Sequence, residues 1–127
     1  MLWKGIAFYW VLWFGTGHAA SIPPLVPHSV VEAVLWVVLS TSAGFSEELV
    51  FRGYLQRQFT ALTGRTSLAL LLQTAVFGIA HGYQGVQACL AIALYGALFT
   101  LLALWRKSLR PGMIAHAWTD IAGGLLN

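Results

Sequence analysis

From Val86 to Trp105 the chain carries no charged residue. A run of about 20 apolar residues is long enough to cross the hydrocarbon core of a bilayer as a helix. Lipid offers no hydrogen-bond partners, so a segment placed there must satisfy its own backbone, which a helix does internally. This one stretch excludes most water-soluble architectures. Composition agrees with it: 58% of the residues are hydrophobic and 9% are charged, whereas a soluble domain carries about 25% charged residues. The expected fold is all-α, a polytopic transmembrane helix bundle. At 127 residues it forms a single membrane-embedded domain over 1–127.

The rest of the chain divides around that helix. Residues 5–20 are apolar and aromatic after Lys4, and read as a first membrane helix. The same residues have the outline of a signal peptide, with Gly17-His18-Ala19 as a small-x-small site. Pro23, Pro24 and Pro27 then forbid a helix interior. A second apolar run extends from about Val30 to about Ala61, and a third helix from about Ser67 to His81. After Gly82-Tyr83-Gln84-Gly85 comes the uncharged helix, then a basic loop over 106–112, then a fifth helix from Met113 to Leu126. About five helices result. Lys4, Arg57, Arg65, Arg106, Lys107 and Arg110 fall on one side of such a ladder, and the loops at 21–29 and 82–85 hold no basic residue. The positive-inside rule makes the basic side cytoplasmic, the N-terminus included. The expected location is the cell membrane of a prokaryote, with lipid as the surrounding partner.

Some function classes fall away at once. No basic run interleaves with aromatics, so no nucleic-acid surface is expected. Cys89 is the only cysteine, which excludes an intramolecular disulfide and a cysteine metal site.

Charge inside the apolar chain is the positive signal. The sequence Gly44-Phe45-Ser46-Glu47-Glu48-Leu49-Val50-Phe51-Arg52-Gly53 holds two of the four acidic residues. A charge at the centre of a membrane helix costs roughly 3 kcal/mol, so such groups pair or perform chemistry. Glu48 and Arg52 share a helix face and can neutralise each other. Glu47 lies about 100° round the helix with no comparable partner, and is the candidate for chemistry. Glu32, near the start of its helix, reads as an interfacial group. Two further polar positions follow, Phe77-x-x-x-His81 and His116-x-x-x-Asp120. Converging in a bundle core, these groups would make a site able to activate water, Glu47 as base and His81 beside it, with His116 and Asp120 at the carbonyl oxygen. A Glu/His/His set could instead hold zinc, but no helix carries His-Glu-x-x-His. Gly44-Phe45-Ser46 reads as Gly-x-Ser, as in rhomboid proteases, yet Glu47 rather than glycine follows Ser46. A capping or packing role for Ser46 is the expectation.

Taken in order, Glu47-Glu48-x-x-x-Arg52, Phe77-x-x-x-His81 and His116-x-x-x-Asp120 resemble the CAAX protease and bacteriocin-processing family, also called the Abi family, which includes the type II CAAX prenyl endopeptidases. The resemblance covers roughly residues 44–123, and Phe51-Arg52-Gly53 also fits it. It implies a glutamate-dependent intramembrane endopeptidase acting on a peptide or membrane-anchored protein near the cytoplasmic face. By match, Glu47 and His81 would activate the water, His116 and Asp120 would form the oxyanion site, and Glu48 and Arg52 would be the structural pair. The implied mechanism needs no metal or other cofactor. Asp120 stands where the family most often has Asn, and an ionised aspartate cannot donate to an oxyanion. It would have to be protonated or orient His116. A non-catalytic membrane binding or immunity protein on the same fold is the alternative.

Overall fold

The computed structural model describes residues 27–126. The apolar segment over 5–20, the Pro23-Pro24 break and the signal-peptide alternative lie outside the described residues. Among the described residues every regular element is helical. Helix α1 is Val30–Glu47, a π segment follows over Glu48–Leu55, and α2 is Gln56–Thr63. These run on without a break as one helix of 34 residues. Next come α3, Thr66–Ala80, a 3-10 turn at Gly82–Gln84, α4, Val86–Arg106, and α5, Arg110–Leu125.

Local chemistry explains the ends. Ser29 caps α1, its Oγ accepting from the Glu32 N–H at 3.2 Å, while the Glu32 carboxylate accepts from the His28 N–H at 2.6 Å. This near-reciprocal arrangement satisfies two donors that a helix start leaves open. Gly64 stops α2 at φ 68°, a left-handed conformation that costs glycine little. Helix α5 begins at Arg110, earlier than the basic loop over 106–112 predicts. Pro111 lies in its first turn, where the missing N–H of proline removes no helix bond.

Two helices, Val30–Thr63 and Val86–Arg106, are long and apolar enough to cross a membrane. At 15 and 16 residues, α3 and α5 reach only about 22–24 Å, short of a perpendicular span of about 30 Å. Helix α1 packs along α5, α3 along α4, and α2 against α3 through the Gly64 turn, with α4 and α5 closing the bundle.

The distribution of side chains is the reverse of a soluble core. Val30, Val31, Leu35, Val38, Leu94 and Leu98 are exposed, whereas Glu48, Arg52, Gln56, Gln73, Thr100 and His116 are buried. Outward apolar residues suit lipid, and polar groups are taken inward where they can meet one another. On the long helix the buried residues are Ser40, Gly44, Glu48, Arg52 and Gln56. On α3 they include Ala69, Gln73 and Phe77, and on α5 Gly112, His116 and Gly124. The four-residue spacing is that of the ridges along which helices interlock.

Candidate active site

Glu48 is at the centre of the polar interior. Its side chain is fully buried, and Oε1 lies 3.1 Å from Arg52 Nη1 and 3.0 Å from His116 Nδ1. Its Oε2 faces the first turn of α5, where a Cβ on Gly112 would come within 2.9 Å. Helix N-termini favour negative charge, so a guanidinium, an imidazole N–H and a helix end all surround this carboxylate. The guanidinium of Arg52 lies over the Phe77 ring at 4.2 Å from its centroid, a cation–π contact strengthened by burial. Its three nitrogens have no aligned hydrogen bond among the described residues, so charge and ring contact hold it.

Since a carboxylate paired with arginine can only accept, His116 donates through Nδ1 to Glu48. That leaves Nε2 to face outward. It lies 3.7 Å from Glu47 Oε2 and 3.6 Å from Asp120 Oδ2, both beyond hydrogen-bonding distance. The Glu47 and Asp120 side chains are 29% and 37% exposed, so the three groups face a common opening at the edge of the core. Glu47 Oε2 itself is buried and makes no hydrogen bond.

His81 caps the end of α3. Its Nδ1 bonds the Phe77 carbonyl at 2.8 Å; a carbonyl cannot donate, so Nδ1 carries the hydrogen and Nε2 is left bare. The His81 ring packs on Phe77 at 4.9 Å. Glu47, Glu48, Arg52, His116 and Asp120 therefore form one connected cluster, and His81 joins it through Phe77. The sequence reading pairs Glu47 with His81, whereas the histidine against Glu47 is His116.

Three participants have no signal in the sequence. Phe99 stacks on His116 at 5.1 Å with 22° between the rings. Trp36 donates its indole N–H to the Asp120 carbonyl at 3.0 Å, tying α1 to the turn of α5 that presents the site. Gly112, read as loop, is the floor under Glu48. Ser46 is exposed and spends its hydroxyl on the Ser42 carbonyl at 2.8 Å. Glu32 is exposed in its cap. Among the described residues no three His, Cys, Asp or Glu side chains gather as a metal-binding set.

Depth in the bundle follows from the helices. Asp120 lies about 15 Å along α5 from Arg110. Glu48 lies level with Gly112 in the first turn of that helix, close to the basic helix ends, and Asp120 lies farther in.

Compared with known families, residues 7–122 match the type II CAAX prenyl endopeptidase Rce1-like family. No curated protein and no solved structure matches the chain. The family match takes in nearly the whole chain and all three polar motifs, and its two long apolar helices suit a bilayer: the protein is a membrane protein belonging to the Rce1-like family of type II CAAX prenyl endopeptidases.

Proposed function

We propose that this protein hydrolyses a peptide bond of a membrane-anchored protein or peptide with a water activated at Glu47. The observation that carries the reading is the contrast between adjacent glutamates. Glu48 is fully enclosed with its Oε1 engaged by Arg52 and His116, while the Glu47 side chain is 29% exposed and sets an Oε2 without a hydrogen bond opposite His116 Nε2. A buried acceptor with no partner calls for an explanation, and a base in reach of a water supplies one.

In the proposed reaction Glu47 takes a proton from water, and the water oxygen bonds to the scissile carbonyl carbon. The carbonyl π pair moves to oxygen. His116, held through Nδ1 by Glu48 and protonated at Nε2, donates to that oxyanion. Asp120, an acceptor when ionised, orients His116 and does not touch the oxyanion. The proton on Glu47 passes to the leaving nitrogen, the C–N bond breaks, and Glu47 is restored. His81, bare at Nε2, accepts a hydrogen bond from the water. Glu48 sits beside the first turn of α5, close to the basic helix ends, and this supports cleavage near the cytoplasmic face.

The test is Glu47→Gln, which keeps shape and removes the base. Purified in detergent and assayed on a panel of prenylated, unprenylated and leader-type peptides, it should lose at least about 100-fold in rate, the lower range for a general base. Wild-type cleavage by this variant would remove the proposal and favour a non-catalytic binding or immunity role.

A further inference from the structure

A cavity of about 510 Å³ opens at the basic end of the bundle, between α2, the start of α3 and the end of α4. Its walls include Ala61, Ala103, Leu104 and Leu109, and Arg57 and Lys107 line it as well. Both basic residues are exposed. Arg52 lines the inner end of the cavity too, with its side chain enclosed against Glu48.

Charge selects the occupant. Arg57, Arg65, Arg106, Lys107 and Arg110 are five of the seven basic residues of the chain, and none of the four acidic residues, Glu32, Glu47, Glu48 and Asp120, lines the cavity. An anion placed there meets uncompensated positive charge. Apolar walls then ask for a ligand with a hydrocarbon portion. A basic pocket between membrane helices is the setting in which anionic lipid headgroups bind, and the surrounding bilayer supplies such lipids at the level of these helix ends.

We propose that this cavity is a binding site for one anionic phospholipid, its phosphate held by Arg57 and Lys107 and an acyl chain along Leu104 and Leu109. The site is independent of the peptidase reading, because no group assigned to catalysis contributes a side chain to it.

The experiment is native mass spectrometry of the full chain in detergent, titrated with phosphatidylglycerol and, separately, with phosphatidylcholine. Phosphatidylglycerol should be retained in preference, at one molecule per protein. The double variant Arg57→Gln/Lys107→Gln should weaken its binding about tenfold or more. Arg106→Gln/Arg110→Gln removes the same charge from the same end outside the cavity and should have a much smaller effect. Equal losses in the two double variants would mean a diffuse basic belt and overturn the site. Leu104→Trp fills the apolar wall and should also weaken binding; unchanged binding would mean a headgroup contact only and overturn it too. A short peptide whose free C-terminal carboxylate binds in an Arg57- and Lys107-dependent way, with no phosphatidylglycerol bound, would assign the cavity to substrate instead. All these substitutions are at exposed positions, and circular dichroism on each variant checks that the helices are retained.

Discussion

The seam between α1 and α5 and the seam between α3 and α4 close by the same device and are filled differently. Small residues bring the backbones together in both. A Cβ on Gly44 would fall 2.6 Å from the Ala117 nitrogen, and one on Gly78 would fall 2.9 Å from the Cys89 carbonyl oxygen. Close approach of this kind replaces the hydrophobic drive that helices lack in lipid. What crosses the first seam is charge: Glu47 and Glu48 face His116, and Trp36 bonds the Asp120 carbonyl. What crosses the second is neutral: the Gln73 amide donates to the Thr100 hydroxyl, which donates to the Gly96 carbonyl. The first seam sets charged groups against one another at a partly open edge, and the second joins its helices through neutral amide and hydroxyl groups. Packing geometry alone therefore does not distinguish the two seams. Charge placed across a close contact does.

Breaking the charged seam should have the largest effect on stability. Arg52→Met leaves Glu48 buried without its cation, and removing one partner of a buried pair costs about 3–5 kcal/mol. Glu48→Gln should act in the same direction. Both should melt well below wild type in a common detergent, while Glu47→Gln, which removes an unpaired carboxylate, should melt near it. A Glu47→Gln protein that melts far lower than Glu48→Gln would exchange the two roles. In the neutral seam the effect should be smaller. Thr100→Val removes a single interhelical hydrogen bond, worth about 0.6 kcal/mol on average between membrane helices; measured by denaturant titration in mixed micelles, a loss as large as that of Arg52→Met would erase the distinction between the seams. The smallest expected effect is none. Chelation should leave peptidase activity unchanged, and elemental analysis should find no stoichiometric zinc. Activity lost to the chelator and restored by zinc would give the charged seam a different chemistry.

Contacts within one helix were readable from the chain, and contacts between helices were not. Glu48 with Arg52 and His116 with Asp120 are each four residues apart, and helix geometry places such pairs together without further information. The long second run was readable too: expected from about Val30 to about Ala61, it is one helix over Val30–Thr63 with Glu47 near its middle. Which histidine faces Glu47 depends on how α3 and α5 rotate about their axes, and nothing local encodes that. Nothing in the sequence separates Phe99 and Trp36 from other aromatics of apolar helices; the bundle sets them against His116 and the Asp120 carbonyl. Pro111, expected in the basic loop, lies in the first turn of α5, because proline is excluded from helix interiors yet tolerated at a helix start.

The π segment gives the long helix a property of a vernier, two scales of slightly different pitch laid end to end. An α-helix turns about 400° in four residues, so a line of residues four apart creeps round the cylinder by about 40° at each step. Over Ser40, Gly44, Glu48, Arg52 and Gln56 that creep would carry the last residue to nearly the opposite side from the first. In the wider turns of a π-helix, bonded i to i+5, four residues fall short of a full revolution, and the line creeps backward. The eight residues Glu48–Leu55 thus offset most of the drift built up from Ser40 to Glu48. One unbroken helix can then keep a serine, a glycine, an acid, a base and an amide in single file along the inside of a bundle otherwise turned toward lipid.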